Sequence, residues 1–144
     1  SLLGGSGVDG AIHRAAGPRL LEWCRPLGGC PTGRARITPG FDLPARWVIH
    51  AVGPVWHGGD RGEDELLESC YQSSLTLASL HDARTVAFPA ISTGAFGFPI
   101  ERAAAIAGRT VSSFLEQDAV ITKVLLVCRG KRTLTAFQQA VVQP

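Results

Sequence analysis

Asp9 stands inside the glycine-rich stretch Ser1-Leu-Leu-Gly-Gly-Ser-Gly-Val-Asp-Gly10, and His13 follows it by four residues. If this stretch opens a helix, that spacing puts carboxylate and imidazole on one face. A carboxylate beside backbone without side-chain bulk can act on whatever the backbone holds. A single Asp–His pair could equally be a cap charge and a packed histidine. A second stretch of small residues, Ala90-Ile-Ser-Thr-Gly-Ala-Phe-Gly97, follows an apolar segment and precedes Pro99. Loops of this kind let backbone N–H groups close around an anion, and a helix N-terminus adds positive potential there. Two such cradles in one chain point to a diphosphate. Ser92 to Gly97 reads as an anion nest, with Phe96 either exposed to stack on a sugar face or buried as packing.

Other chemistry in the same residues fails on order or spacing. Gly5-Ser-Gly-Val-Asp-Gly10 fits the dinucleotide fingerprint formally, but no strand precedes it and no acid lies between Glu22 and Asp42. Ser92 sits between strand and helix like a nucleophile elbow, yet the last histidine, His81, lies upstream, so the hydrolase order cannot be completed. There is no P-loop motif. Cys24, Cys30, Cys70 and Cys128 form neither a zinc pattern nor a dense disulfide framework, and read as structural thiols in a reducing cytoplasm. His50 reads as structural, and His57 and His81 as loop surface. Nothing calls for a metal or a redox cofactor.

The elements that must position these loops can be read from periodicity. Trp47 to Val52, Thr85 to Phe88 and Lys123 to Cys128 are short, apolar and not strictly alternating, as in strands covered on both faces. Arg34 to Thr38 adds a more exposed strand before the Pro39-Gly40 turn. Helical patterns run over Val8 to Ala16, from Pro18 through about Arg25, and over Glu63 to Leu80, Ile100 to Leu115 and Lys131 to Val142. Strand and helix alternate from Trp47 onward, which predicts an α/β/α sandwich with right-handed crossovers. The first glycine loop has no strand before it, so further strands are expected upstream of Ser1.

With 144 residues, a formal charge of +2 and 45% hydrophobic residues, the chain reads as one globular domain over residues 1–144. So balanced a charge disfavours wholesale nucleic-acid binding. No apolar run approaches a bilayer's thickness.

Taken together, Leu2 to Pro18, Gly29-Cys-Pro-Thr-Gly33, Leu43-Pro-Ala45, Val48 to Trp56 and Ala87 to Gly97 resemble the macrodomain family, specifically its MacroD-type branch with the bacterial O-acetyl-ADP-ribose deacetylases. The resemblance spans about Ser1 to Cys128 and implies a three-layer α/β/α macrodomain with a mixed, mostly parallel central sheet. It further implies an ADP-ribose cleft at the carboxyl ends of the strands. Gly7, Val8, Asp9 and Gly10 would line the distal-ribose side, with Gly5 and His13 also among the ligand-binding residues, and Ser92, Thr93, Gly94, Ala95, Phe96 and Gly97 would wrap the pyrophosphate. Arg129 stands where relatives put an aromatic against adenine. Asp9 matches the residue associated with hydrolysis in this branch. Ser6 replaces a usual glycine, and the family's Asn-Ala-Ala-Asn segment would fall just before Ser1. The implied substrates are O-acetyl-ADP-ribose and proteins mono-ADP-ribosylated on Asp or Glu, with a non-catalytic ADP-ribose reader as the alternative.

Overall fold

The computed structural model describes residues 1–142. Helix α1 (Gly7–Ala16) leads through Gly17 into α2 (Pro18–Cys24). The expected continuation through Arg25 is instead a 3-10 turn, Arg25–Leu27, because Pro26 has no amide to extend the helical ladder. Strands β1 (Ala35–Pro39) and β2 (Trp47–Ala51) follow, then α3 (Glu63–Leu80), β3 (Thr85–Pro89), α4 (Ile100–Gln117), β4 (Lys123–Val127) and α5 (Lys131–Val142). The alternating elements and their order are those the sequence predicts.

Helices pack around mixed strands, as expected of a three-layer α/β/α macrodomain, and among the described residues the strands pair as two ladders, one antiparallel and one parallel. Among the described residues β1 pairs only with β2, antiparallel, with Ile37 opposite Ile49. β3 pairs only with β4, parallel, with Phe88 opposite Leu126. The parallel pair needs a crossover, and α4 supplies it.

Two clusters hold these layers. The larger gathers Leu67, Tyr71 and Leu75 of α3, Phe88 of β3, Phe98, and Ala103, Ala107 and Val111 of α4, with Phe137 of α5. Small residues on α4 let it pack closely between α3 and α5. Each large side chain fully buried there contributes about 1.5–3 kcal/mol. The smaller cluster, Leu2, Ala16, Leu20 and Cys24, sits under α1 and α2, with Val52 and Phe41 packed against it. Alternation along β2 serves both sides: Ile49 packs on the larger cluster, while His50 reaches Cys24. β1 and β2 therefore lie between α2 and α3. On β3 and β4, Val86, Phe88, Val124 and Leu126 join the larger cluster, and Ala87, Leu125 and Val127 are exposed. No described helix is long and apolar enough to cross a membrane.

Candidate active site

Ser6 is extended, at φ −102° and ψ −178°, and turns the first loop into α1. The amides of Gly7, Val8 and Asp9 lie in the first helical turn, where no intrahelical acceptor exists for them. Gly5 and Gly7 face open space, and Val8 is exposed beside them. Gly10 is placed differently: it is buried, and a methyl group there would strike the Gly5 carbonyl oxygen. Its role is to let the loop fold back on the helix.

Asp9 is half-exposed, its side chain 44% accessible, with Oδ1 at 3.7 Å from His13 Nε2. His13 is only 11% accessible and donates from Nε2 to the Leu2 carbonyl at 3.1 Å. The imidazole thus ties the incoming strand of the loop to the helix that carries the carboxylate. Behind it His50 is buried, 6.4 Å away between ring centroids, with Nε2 at 2.9 Å from Thr38 Oγ1. Burial pushes the His50 pKa down, Asp9 draws it part of the way back, and His13 lowers it further. His50 is structural, as its sequence position indicates. His81 is more than loop surface, since its Nδ1 donates to the Leu77 carbonyl at the end of α3.

The second loop is drawn tight by its own bonds. The Thr93 amide and hydroxyl both donate to the Ala90 carbonyl, at 3.2 and 2.7 Å. The Gly97 amide donates to Gly94, and the Phe98 amide to Ser92. Among the described residues this leaves the amides of Ser92, Gly94, Ala95 and Phe96 without acceptors, the last three in succession. Within Ser92 to Gly97, Thr93 and Gly97 spend their amides closing the turn. Ser92 takes a left-handed φ of 66°, and its hydroxyl is buried without a partner. Such strain and such an orphan concentrate at functional sites. Phe96 is 42% exposed, and the buried aromatic of the loop is Phe98.

Both loops sit at the carboxyl end of β2. The cluster under the first loop packs on Val52, and the next residue, Gly53, touches the second loop. A methyl group on Gly53 would collide with Ser92 Oγ and lie 2.6 Å from Ile91 Cγ2. Since β3 and β4 are parallel, exposed Arg129 after β4 lies at the same end of the molecule as the nest after β3. Gly53 and Trp56, whose amide donates to the Phe96 carbonyl at 2.9 Å, support the second loop, a part that the sequence assigns to neither of them. Their signal is their place in the Val48 to Trp56 segment that carries the family resemblance.

The sequence profile described as Macro domain matches residues 1–107. A macro domain-containing protein of Chlorobaculum tepidum is 62% identical over 140 residues, covering 97% of this chain and 81% of that one. A Klebsiella pneumoniae protein named O-acetyl-ADP-ribose deacetylase is 54% identical over 143 residues, covering 96% and 82%. The fold superposes on an Oceanobacillus iheyensis macrodomain mutant with ADPR at a TM-score of 0.91 and 44% identity, covering 99% of this chain and 80% of the other. The chain belongs to the Macro domain family.

Proposed function

We propose that this chain, one macrodomain over residues 1–144, binds ADP-ribose and hydrolyses esters at its distal ribose. The observation that carries the reading is the meeting of two amide-rich loops at the carboxyl end of β2, with a half-exposed carboxylate on the helix of one. The amides of Gly94, Ala95 and Phe96 would take the pyrophosphate, with the Phe96 ring against the sugar. Those of Gly7, Val8 and Asp9 would face the far ribose. Holding both phosphates fixes the ribose against Asp9, and such positioning is the entropic part of catalysis. Asp9 then takes a proton from the water that attacks the ester carbonyl. The acyl–oxygen bond breaks, the carboxylic acid departs with the water's oxygen, and Asp9 returns the proton to the ribose oxygen. His13 steadies the loop on which Asp9 depends.

The ADPR bound to the Oceanobacillus macrodomain and the deacetylase name of the Klebsiella relative support this reading. O-acetyl-ADP-ribose is the first proposed substrate, and mono-ADP-ribosylated Asp and Glu of proteins share its ester chemistry. Four free thiols suit a reducing compartment such as the cytoplasm.

The test is acetate release from O-acetyl-ADP-ribose beside calorimetry with ADP-ribose. Asp9→Ala should lower turnover about 10²–10⁴-fold, the usual loss of a positioned general base, while affinity stays within several-fold. Unchanged turnover would remove Asp9 from the mechanism. Tight binding by the unaltered chain with no acetate released would leave a reader module.

A further inference from the structure

The loop from the end of β2 to α3 contributes no side chain to the proposed chemistry, yet a buried carboxylate organises it. Glu63, the first residue of α3, is 1% exposed. It accepts the amides of His57 at 2.8 Å, Gly59 at 3.0 Å and Arg61 at 2.6 Å. Burial pushes its carboxyl pKa up, but these amides and its own outweigh that and hold it at about 2. The charge is therefore permanent under ordinary conditions, and the loop is wrapped around it.

What the wrapped loop delivers is Trp56. Its indole contacts both the Arg102 guanidinium, 5.0 Å from the ring, and Phe98, 4.8 Å between centroids with the rings tilted by 56°. Asp64, next to Glu63, grips Arg102 through two bonds of 2.8 Å. A side chain on Gly59 would press on the indole, at 3.0 Å. So placed, the Trp56 amide donates to the Phe96 carbonyl at 2.9 Å. The Phe96–Gly97 peptide is then pinned at both ends, because its N–H is given to Gly94. A peptide plane fixed this way sets the turn from which the Gly94, Ala95 and Phe96 amides project.

We propose that Glu63 and Trp56 are positioning residues for diphosphate capture, Glu63 by shaping the 57–61 loop and Trp56 by locking the Phe96 peptide. The inference rests on the ADP-ribose reading above. A loop that merely closed the fold would need neither the indole held by Arg102 and Phe98 nor the bond to Phe96.

Calorimetry with ADP-ribose, steady-state turnover and hydrogen exchange on the full chain test it together. Glu63→Gln and Trp56→Ala should each weaken ADP-ribose about 10-fold and raise KM alike, with kcat within about three-fold, since small displacements of a gripping group cost on this scale. Trp56→Phe, which keeps a ring against Arg102 and Phe98, should recover most of the affinity. Exchange at the Gly97 and Phe98 amides should quicken in the weakened variants without any ligand. Folded Glu63→Gln or Trp56→Ala protein that melts lower but binds as before, with unchanged exchange at those amides, would overturn the proposal. If Glu63→Gln does not fold, the Trp56 pair decides by the same criteria. Failure of the unaltered chain to bind ADP-ribose would defeat the functional reading instead, and exchange would still report on the clamp.

Discussion

The first glycine loop rests on four buried residues and one histidine bond to a carbonyl, whereas the second is pinned by its own turn, by Trp56 and by the larger core through Phe98. The difference matches what each would do. In the proposed reaction, a loop gripping phosphates would have to present its amides in a fixed direction, because an anion rewards donors that need no rearrangement. A loop carrying Asp9 as the base would have to admit water and release an acid beside a half-exposed carboxylate. A lightly held loop suits that exchange. Local stability is expected to differ accordingly, as it does between supporting elements and binding loops generally.

Cavities cut into the two clusters would separate them most strongly. Leu67 and Leu20 are both fully buried, so Leu67→Ala and Leu20→Ala should each cost about 2–5 kcal/mol in urea unfolding. Their local signatures should diverge. Leu20→Ala should quicken exchange in α1 and leave Gly97 and Phe98 protected, and Leu67→Ala should do the reverse. Equal loosening of both loops by either variant would abolish the contrast.

A smaller effect is expected at the seam between the loops. Gly53→Ala drives a methyl group into Ile91 and Ser92, and overpacking of this kind costs about 1–3 kcal/mol. ADP-ribose affinity should fall with it, because the strained Ser92 must shift, while the bond from His13 to Leu2 is untouched. Calorimetry beside thermal melting checks both halves. Affinity equal to that of the unaltered chain would show that the second loop tolerates displacement.

Acid should produce the smallest and most graded difference. His50 in the folded chain titrates below the usual 6.5, so the unfolded chain binds the proton first, and stability under the first loop falls as pH drops below about 6.5. Glu63 in the folded chain titrates at about 2 against a usual 4.5. Its contribution is complete above 4.5 and is lost as pH falls from there toward 2. Hydrogen exchange against pH should show α1 and β2 loosening first and the 57–61 loop holding until below 4.5. Glu63→Gln should flatten that second limb and leave the first. A single transition shared by both regions would contradict the assignment.

Much of this contrast is written locally in the chain. Periodicity places α3 over Glu63 to Leu80 and the strands within a residue or two, because those patterns answer to a neighbouring core. Its small neighbours leave Phe96 open between exposure and packing, and the fold decides for exposure. What fastens the loops is not local. Glu63 is one of three acids in the first turn of α3, which suits a helix N-terminus, and nothing in its spacing says that its side chain turns back onto the preceding loop. Gly53 matters because Ser92, far along the chain, lies against it. Gly10 looks like its neighbours in the glycine run, and only the fold presses the Gly5 carbonyl onto it. The division into two ladders is likewise a fact of strand pairing that the composition of each strand does not carry.

The central claim is that both loops take hold of one ligand. An amide-resolved NMR titration of the full chain with ADP-ribose tests it directly. Gly7, Val8 and Asp9 should shift together with Gly94, Ala95 and Phe96 along a single binding curve, with Gly97 and Phe98 moving less because their amides are already engaged. Shifts confined to one loop, or two loops titrating at different concentrations, would contradict it.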